Sequence, residues 1–291
     1  MQKIEWPKGP TQWIEDRTLF VSVPFTWNLP AIKDELSAGS LLWDAAKVGG
    51  PAVGLLPRFL DGLPNVTVGG ELPGILQRVN PLATRTTVGC TRRCQFCGIG
   101  RQQIEPGPFR ELADWPDLPV ICDNNLLASS RNHFEAVVIR LARWGWADFN
   151  QGLDCRLMTP EFARLLHEIQ KPMIRLALDA DGEKEPWEHA FGLLRHYRIA
   201  KSAIRSYCLI GFEDTPADAW RRCEWVENHG VKALPMWFHR LDQLEPNIVT
   251  PDQEAAGWTD TERKRLMQWF YQHRAINRLK RGAANASNEA V

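Results

Sequence analysis

The sequence predicts a mixed α/β fold: a series of six β/α units forming a partial (β/α)6 barrel, preceded by a small, irregular α/β segment. Three observations predict it. From Leu82 to His239, apolar runs of strand length alternate with segments of helical period. Helix punctuation falls between them, with Thr159-Pro160 and Thr215-Pro216 as cap and first position and Gly145 and Gly230 as stops. Six units are too few to close an eight-stranded barrel and instead suit an open, curved sheet with one side left for a substrate.

Residues 1–80 read as an N-terminal segment. "PFTWNLPAIKDELSAG" and "VGGPAVGLLPRFLDGLPNVTVGG" are rich in Pro and Gly, which predicts short strands divided by turns. Gly49-Gly50 and Gly69-Gly70 lack the GxGxxG spacing of a phosphate cradle and read as turns. Residues 81–240 hold the six units. The predicted strands are "LATRTTVG", "LPVICDNN", "WADFNQG", "KPMIRLALDA", "AIRSYCLIGFED" and "VKALPMWFH". The helices between them are "HFEAVVIRLARWG", "TPEFARLLHEI", "EPWEHAFGLLRHY" and "TPADAWRRCEWVENHG". Such alternation implies parallel strands with covering helices. Residues 241–281 form a helical extension ending in "TDTERKRLMQWFYQHRAINRLKRG", and 282–291 a small, polar, disordered tail.

Composition narrows the function classes. The chain has 291 residues, 44% hydrophobic and 24% charged, which suffices for a real core. Lys+Arg and Asp+Glu are both 35, so any basic surface for nucleic acid or anionic lipid is local. The N-terminus lacks the apolar stretch of a signal peptide, and no apolar run approaches membrane-spanning length. Seven cysteines, three clustered and four scattered, do not form a secreted disulfide framework; a reducing cytoplasm is expected. Tryptophan occurs 13 times, and the sequence alone assigns it no role.

The chemistry centres on "VGCTRRCQFCGIG", where Cys90, Cys94 and Cys97 fall within eight residues just past the first strand. Thiolates bind zinc or iron–sulfur clusters. A closed zinc site needs four ligands, and a disulfide would leave one thiol over. Three thiolates can hold three corners of a four-iron cube and leave the fourth iron open. Cys122, Cys155 and Cys208 sit in or beside predicted strands and Cys223 in a helix, where packing is the ordinary role. Loops at the carboxyl ends of parallel strands carry function. Asp123-Asn124-Asn125, the stretch from Gln151 to Arg156, Asp179, and Gly211 to Asp214 all lie at such ends.

The motif C-x-x-x-C-x-aromatic-C, here "CTRRCQFC", resembles the signature of the radical S-adenosylmethionine (SAM) superfamily, and the resemblance runs from about Leu82 to His239. It is nearest to the branch of methylthiotransferases, elongator-type enzymes and cobalamin-dependent radical enzymes. The stretch before Cys90 resembles a shortened remnant of the Rossmann-like domain those enzymes carry upstream. With no histidine before His133, the cobalamin-ligating D-x-H-x-x-G motif is missing; with no cysteine before Cys90 or after Cys223, so are auxiliary clusters.

The resemblance implies a TIM-like partial barrel, a [4Fe-4S] cluster on Cys90, Cys94 and Cys97, and S-adenosyl-L-methionine on the open iron. Reductive cleavage would give a 5′-deoxyadenosyl radical that abstracts hydrogen from a substrate, with flavodoxin or ferredoxin as electron donor. Phe96 would border adenine. Asp123 and Asn124 stand where relatives carry a Gly-Gly-Glu-like motif that meets the methionine amino group; helix capping is the competing role for Asp123. Gln151, Asp154 and Arg156 would reach the rim, Arg156 clamping a carboxylate or pairing with an Asp. Asp179 would lie near the ribose, Ser206 near the methionine carboxylate, and Gly211 against adenine. Trp237, Phe238 and His239 stand at the substrate end as stacking faces or as core, and the bases of the last helix as a phosphate track or a solvated face. The substrate class stays open among small molecule, nucleic acid and peptide. The alternative is a non-catalytic zinc or iron–sulfur protein that binds a partner or carries electrons.

Overall fold

In the computed structural model, which describes residues 6–272 except Glu71, Pro73 and Gln102, the chain opens with a hairpin of β1 (Thr11–Glu15) and β2 (Thr18–Ser22). Its turn residues Asp16 and Arg17 have φ of 46° and 58°, the left-handed pair that follows the twist of the strands. Then come α1 (Leu29–Ala38), β3 (Ala45–Gly49), α2 (Pro51–Leu55) and β4 (Val66–Val68). β2, β3 and β4 pair in parallel, giving a four-stranded sheet in the order β1-β2-β3-β4. This segment is more regular than its Pro and Gly content predicts. Helix α1 buries Leu29, Ile32 and Leu36 on one face, against Leu19, Val21 and Val48. Gly49-Gly50 and Gly69-Gly70 do fall just where β3 and β4 end. The short α3 (Ile75–Val79) leads out of this unit.

The second sheet is built from β5 (Ala83–Thr84), β8 (Val120–Ile121), β9 (Trp146–Phe149), β10 (Lys171–Leu178), β11 (Ile204–Ile210) and β12 (Lys232–Trp237), with β6 (Thr87–Val88) and β7 (Arg110–Glu111) forming a separate antiparallel ribbon. All five pairings of the six-stranded sheet are parallel, and the strands stand side by side in chain order. Helices α4 (Arg131–Trp144), α5 (Pro160–His167), α6 (Lys184–His196) and α7 (Pro216–Asn228) connect the strands from β8 to β12. The predicted caps are present. Thr159 accepts from Phe162 N, Thr215 and Asp218 form a capping box, and Gly145 closes α4 with φ 71°.

The predicted first strand, Leu82–Gly89, is broken. After β5 the chain leaves the sheet, because the backbone N–H groups of Thr86 and Thr87 both donate to the Asp123 carboxylate. It resumes as β6, paired with β7, and delivers the cysteine loop from that ribbon.

Alternate residues of β10 (Ile174, Leu176, Leu178) and β11 (Ile204, Ser206, Cys208) are buried beneath the helices, while Arg175, Ala177 and Tyr207 face the other side. That inner face is covered in part by Trp6 and Leu76, packed on Ala83, Val120 and Cys122. The tryptophans gain a role here. Trp187, wholly buried, stacks on Phe191 and meets Trp225 edge-on, Trp220 packs on Phe270, and Trp237 packs on Trp258. Burying one such side chain contributes about 2–3 kcal/mol.

A last short helix, α8 (Pro251–Ala255), is not among the predicted elements, although Thr250-Pro251 with Gln253 forms a complete capping box. The Gln253 amide donates to the carbonyls of Gly211 and Phe238, stitching the ends of β11 and β12 together. Residues 260–272 are helical; there Arg263 and Lys264 pair with Asp260 and Arg265 with Glu262, and Lys264 and Arg265 lie on a solvated face while Arg263 is buried. The rest of the predicted last helix, with Arg274, Arg278, Lys280 and Arg281, and the tail 282–291 lie outside the described residues. Among the described residues no helix is long and apolar enough to cross a membrane.

Candidate functional site

Cys90, Cys94 and Cys97 lie part-buried on the loop after β6, and none is in a disulfide. Short-range bonds shape the loop: Cys97 N donates to Cys94 O at 3.2 Å, and Arg92 N approaches the Cys90 sulfur at 3.3 Å. Gly100 closes it, since a Cβ there would meet Cys94 N at 2.7 Å, a contact no side chain tolerates. Phe96 leans edge-on against Phe212, which packs in the same way on Phe238. The cysteine loop therefore rests on the carboxyl ends of β11 and β12.

From Cys90 a polar chain runs across the strand ends. Asn125 Nδ2 donates to the Cys90 sulfur at 3.5 Å and to Asp154 Oδ2 at 3.3 Å. Asp154 Oδ1 accepts from Arg156 N at 3.2 Å and Nε at 2.6 Å. Arg156 then donates to Glu183, whose other oxygen accepts from Asp179 N at 3.0 Å. Two carboxylates, Asp154 and Glu183, thus pair with one guanidinium, and the Asp179 carboxyl group feels its charge. Burial, and then the charge of Glu183, push Asp179 up to about 7, while Arg156 pulls it back.

A carboxyl group held that high is destabilising once ionised. The penalty is absent below the ordinary aspartate range, grows as pH rises from about 4 to 7, and then levels off. At about 1.4 kcal/mol per unit the ceiling is about 4 kcal/mol, and partial exposure lowers the expectation. Asp179→Asn is expected to be about 1–3 kcal/mol more stable than the parent at pH 8, with the gain shrinking toward pH 5. Urea unfolding at both pH values checks this; a gain independent of pH would contradict it.

Two expected ligands face the wrong way. Asp123 is 2% exposed and accepts four hydrogen bonds of 2.6–3.0 Å, from the N–H and hydroxyl groups of Thr86 and Thr87. His133 of α4 meets the same Thr86 hydroxyl at 3.1 Å, so Asp123 lies on the helix side of β8. Its carboxylate is a clamp, with no oxygen left over for an ammonium at the rim. Ser206 is wholly buried and accepts from Trp187 Nε1 of α6 at 3.0 Å, again on the helix side. Strand side chains alternate between faces, so the neighbours of these residues point inward. Asn124 donates to Glu105, and the Tyr207 hydroxyl donates to Asn150 O.

Gly211 is likewise taken: a Cβ there would meet the Trp237 ring at 2.5 Å, so an indole occupies the approach expected of adenine. Gln151 is exposed, in a turn closed by Gly152 N donating to Phe149 O, between β9 and the bridge of Leu153 to Leu176. His239 packs on Trp27, and burial, then Arg263, lowers its pKa. Asn125, Glu183 and Glu105 were not among the predicted site residues. Asn125 closes the polar triplet after β8, but Glu105 and Glu183 carry no motif and are found only by their partners.

The donor set suits a three-point cluster anchor. The other four cysteines are buried; Cys122 and Cys155 are each pushed up to about 12, mainly by burial, and Cys223 is raised by its bond to Cys208 and by burial. They are poor thiolate donors. Asn125 Oδ1, on the amide that bonds the Cys90 sulfur, is buried with no hydrogen-bond partner. Among the described residues no three His, Cys, Asp or Glu side chains converge as they would around a single ion. Thiolates on a four-iron cube each meet a different iron and need no common point. No protein-family model matches the chain, and neither does any curated protein.

Proposed function

We propose that the chain is a cytoplasmic radical SAM enzyme built on a TIM-like partial barrel. One observation carries the reading: three accessible thiols share a loop at the carboxyl ends of a parallel sheet whose strands follow chain order, and every other thiol is buried. Sequential order is what a sheet curving toward closure requires. The N-terminal β/α unit would be the shortened counterpart of a Rossmann-like domain.

Cys90, Cys94 and Cys97 would hold three irons of a [4Fe-4S] cluster. Bound there, the cluster would supply one electron, from flavodoxin or ferredoxin, to cleave S-adenosylmethionine to a 5′-deoxyadenosyl radical that takes hydrogen from the substrate. The protein's part is positioning and exclusion of water. Asn125 steadies the Cys90 sulfur, and hydrogen bonds to ligating sulfur tune potential. Asp154 and Glu183 offer negative charge to a cationic group, and Arg156 between them offers donors to a carboxylate. Asp179, at about 7, can hold or release a proton near neutrality. Phe96, Phe212 and Phe238 seat the loop on the strand ends through edge-on ring contacts.

Anaerobic iron and sulfide analysis, followed by assay of 5′-deoxyadenosine with dithionite and S-adenosylmethionine, tests the proposal. Cluster and product together support it; zinc without sulfide removes it. A second reading, a cluster protein that carries electrons without cleaving S-adenosylmethionine, is favoured by the engagement of Asp123, which leaves the usual amino-group contact unfilled. Cluster without product would select it.

A further inference from the structure

The cysteine loop and its ribbon hold a local excess of positive charge. Between Val88 and Arg110 stand four arginines, Arg92, Arg93, Arg101 and Arg110, and one acid, Glu105, in a chain whose total charge is balanced. All four arginines are exposed. Glu105 pairs with Arg85 at 2.5 Å, so its charge is already matched. Glu111, the next residue, is turned to α4, where it accepts from Ser130. Asp242 feels the charge of Arg101 but pairs with Arg240 at 3.1 Å. Like charges gathered on one face repel one another and attract an anionic partner from a distance.

These charges flank the thiols. Arg92 and Arg93 lie between Cys90 and Cys94, and Arg101 N donates to Cys97 O at 2.9 Å. The polar chain toward Asp154 meets the loop at Cys90, through Asn125. The arginines mark a second approach to the thiols, from solvent. A single-stranded nucleic acid is held by stacking as well as by charge. The ring inside this loop, Phe96, is already spent on Phe212. A transient redox protein needs no stacking face: its interfaces are small and its encounter is steered by charge.

We propose, on the reading that the loop holds an iron–sulfur cluster, that Arg92, Arg93 and Arg101 form the docking face for an acidic one-electron carrier protein. The docked carrier loses one electron and the cluster gains it; no bond forms or breaks. The sequence supplies this face within the cluster loop itself, so the carrier stands beside the group it reduces.

Binding of an acidic [2Fe-2S] ferredoxin to the full chain, followed by fluorescence anisotropy with and without reconstituted cluster, tests the face. Affinity is expected to fall at least about fivefold between roughly 50 and 300 mM salt. Arg93→Gln with Arg101→Gln is expected to weaken binding at least about fivefold at the lower salt. Lys171→Gln with Arg198→Gln removes the same charge from the cavity at the amino end of β10 and is expected to change binding less than about twofold. In the reconstituted chain, Arg93→Gln with Arg101→Gln is expected to slow cluster reduction by reduced ferredoxin to a similar degree. Reduction by photoreduced 5-deazariboflavin, small and neutral, should change less than about twofold. Ferredoxin binding indifferent to Arg93 and Arg101, or weakened equally by the distal pair, would overturn the docking face. So would a 12-nucleotide single-stranded RNA that binds tenfold more tightly than ferredoxin and is lost with the same two arginines, which would give the face to nucleic acid. Absence of iron and sulfide after reconstitution is a different failure: it removes the cluster reading, and the electron with it.

Discussion

Replacing Cys94 with alanine is expected to leave the anaerobically reconstituted chain without its iron–sulfur absorbance and without 5′-deoxyadenosine production, while stability in urea changes by less than about 1 kcal/mol. Two thiolates cannot hold a cube that three anchor. The fold should survive because the loop is held by backbone: Cys97 N bonds Cys94 O, and Gly100 packs on Cys94 N. The Cys94 thiol is raised by burial, more than the charge of Arg156 offsets, so it rests protonated until a metal displaces the proton. Cys223→Ala is the matched control. That thiol is buried against Cys208 in the core, and its loss is expected to cost about 1–2 kcal/mol with full cluster content retained. Full iron and sulfide in Cys94→Ala would remove Cys94 from the ligand set.

Asp123→Ala carries the largest expected effect on stability, a loss of about 3–5 kcal/mol in urea unfolding. The substitution strands four buried donors, two backbone and two hydroxyl, each costing about 1–3 kcal/mol before local relaxation. It also frees the bend that turns the chain out of β5 into β6, so the cysteine loop loses its footing. Asp123→Asn keeps one acceptor oxygen and is expected to fall between the parent and Asp123→Ala. A residue that only met cofactor at the rim would behave otherwise: its alanine variant would weaken cofactor binding and leave unfolding in urea unchanged. Unaltered stability in Asp123→Ala would therefore refute the clamp.

The sequence made the second sheet largely legible. Its later strands are long alternating runs, and its helices announce themselves at Thr159-Pro160, Thr215-Pro216 and Gly145, because capping is local chemistry. The N-terminal sheet was harder to read. Its hairpin turns on Asp16-Arg17, which lacks the glycine that marks such turns, and its strands are short. Of the predicted rim residues, the structure joins Asp154, Arg156 and Asp179 in one polar chain beside Cys90. It turns Asp123 and Ser206 to the helix side. The sequence located both strand ends, but a shift of one residue moves a side chain to the opposite face, and no local signal sets that register.

By itself, then, the sequence determined the alternation of strands and helices, the capped ends of the helices and the cluster of three thiols, because each depends on neighbours within a few residues. Only the tertiary structure decided which polar groups share a face. The Asn125–Asp154–Arg156–Glu183 chain and the clamp on Thr86 and Thr87 join residues that are distant in the chain. Their partners are chosen by the pairing register and by burial, which the chain acquires only on folding.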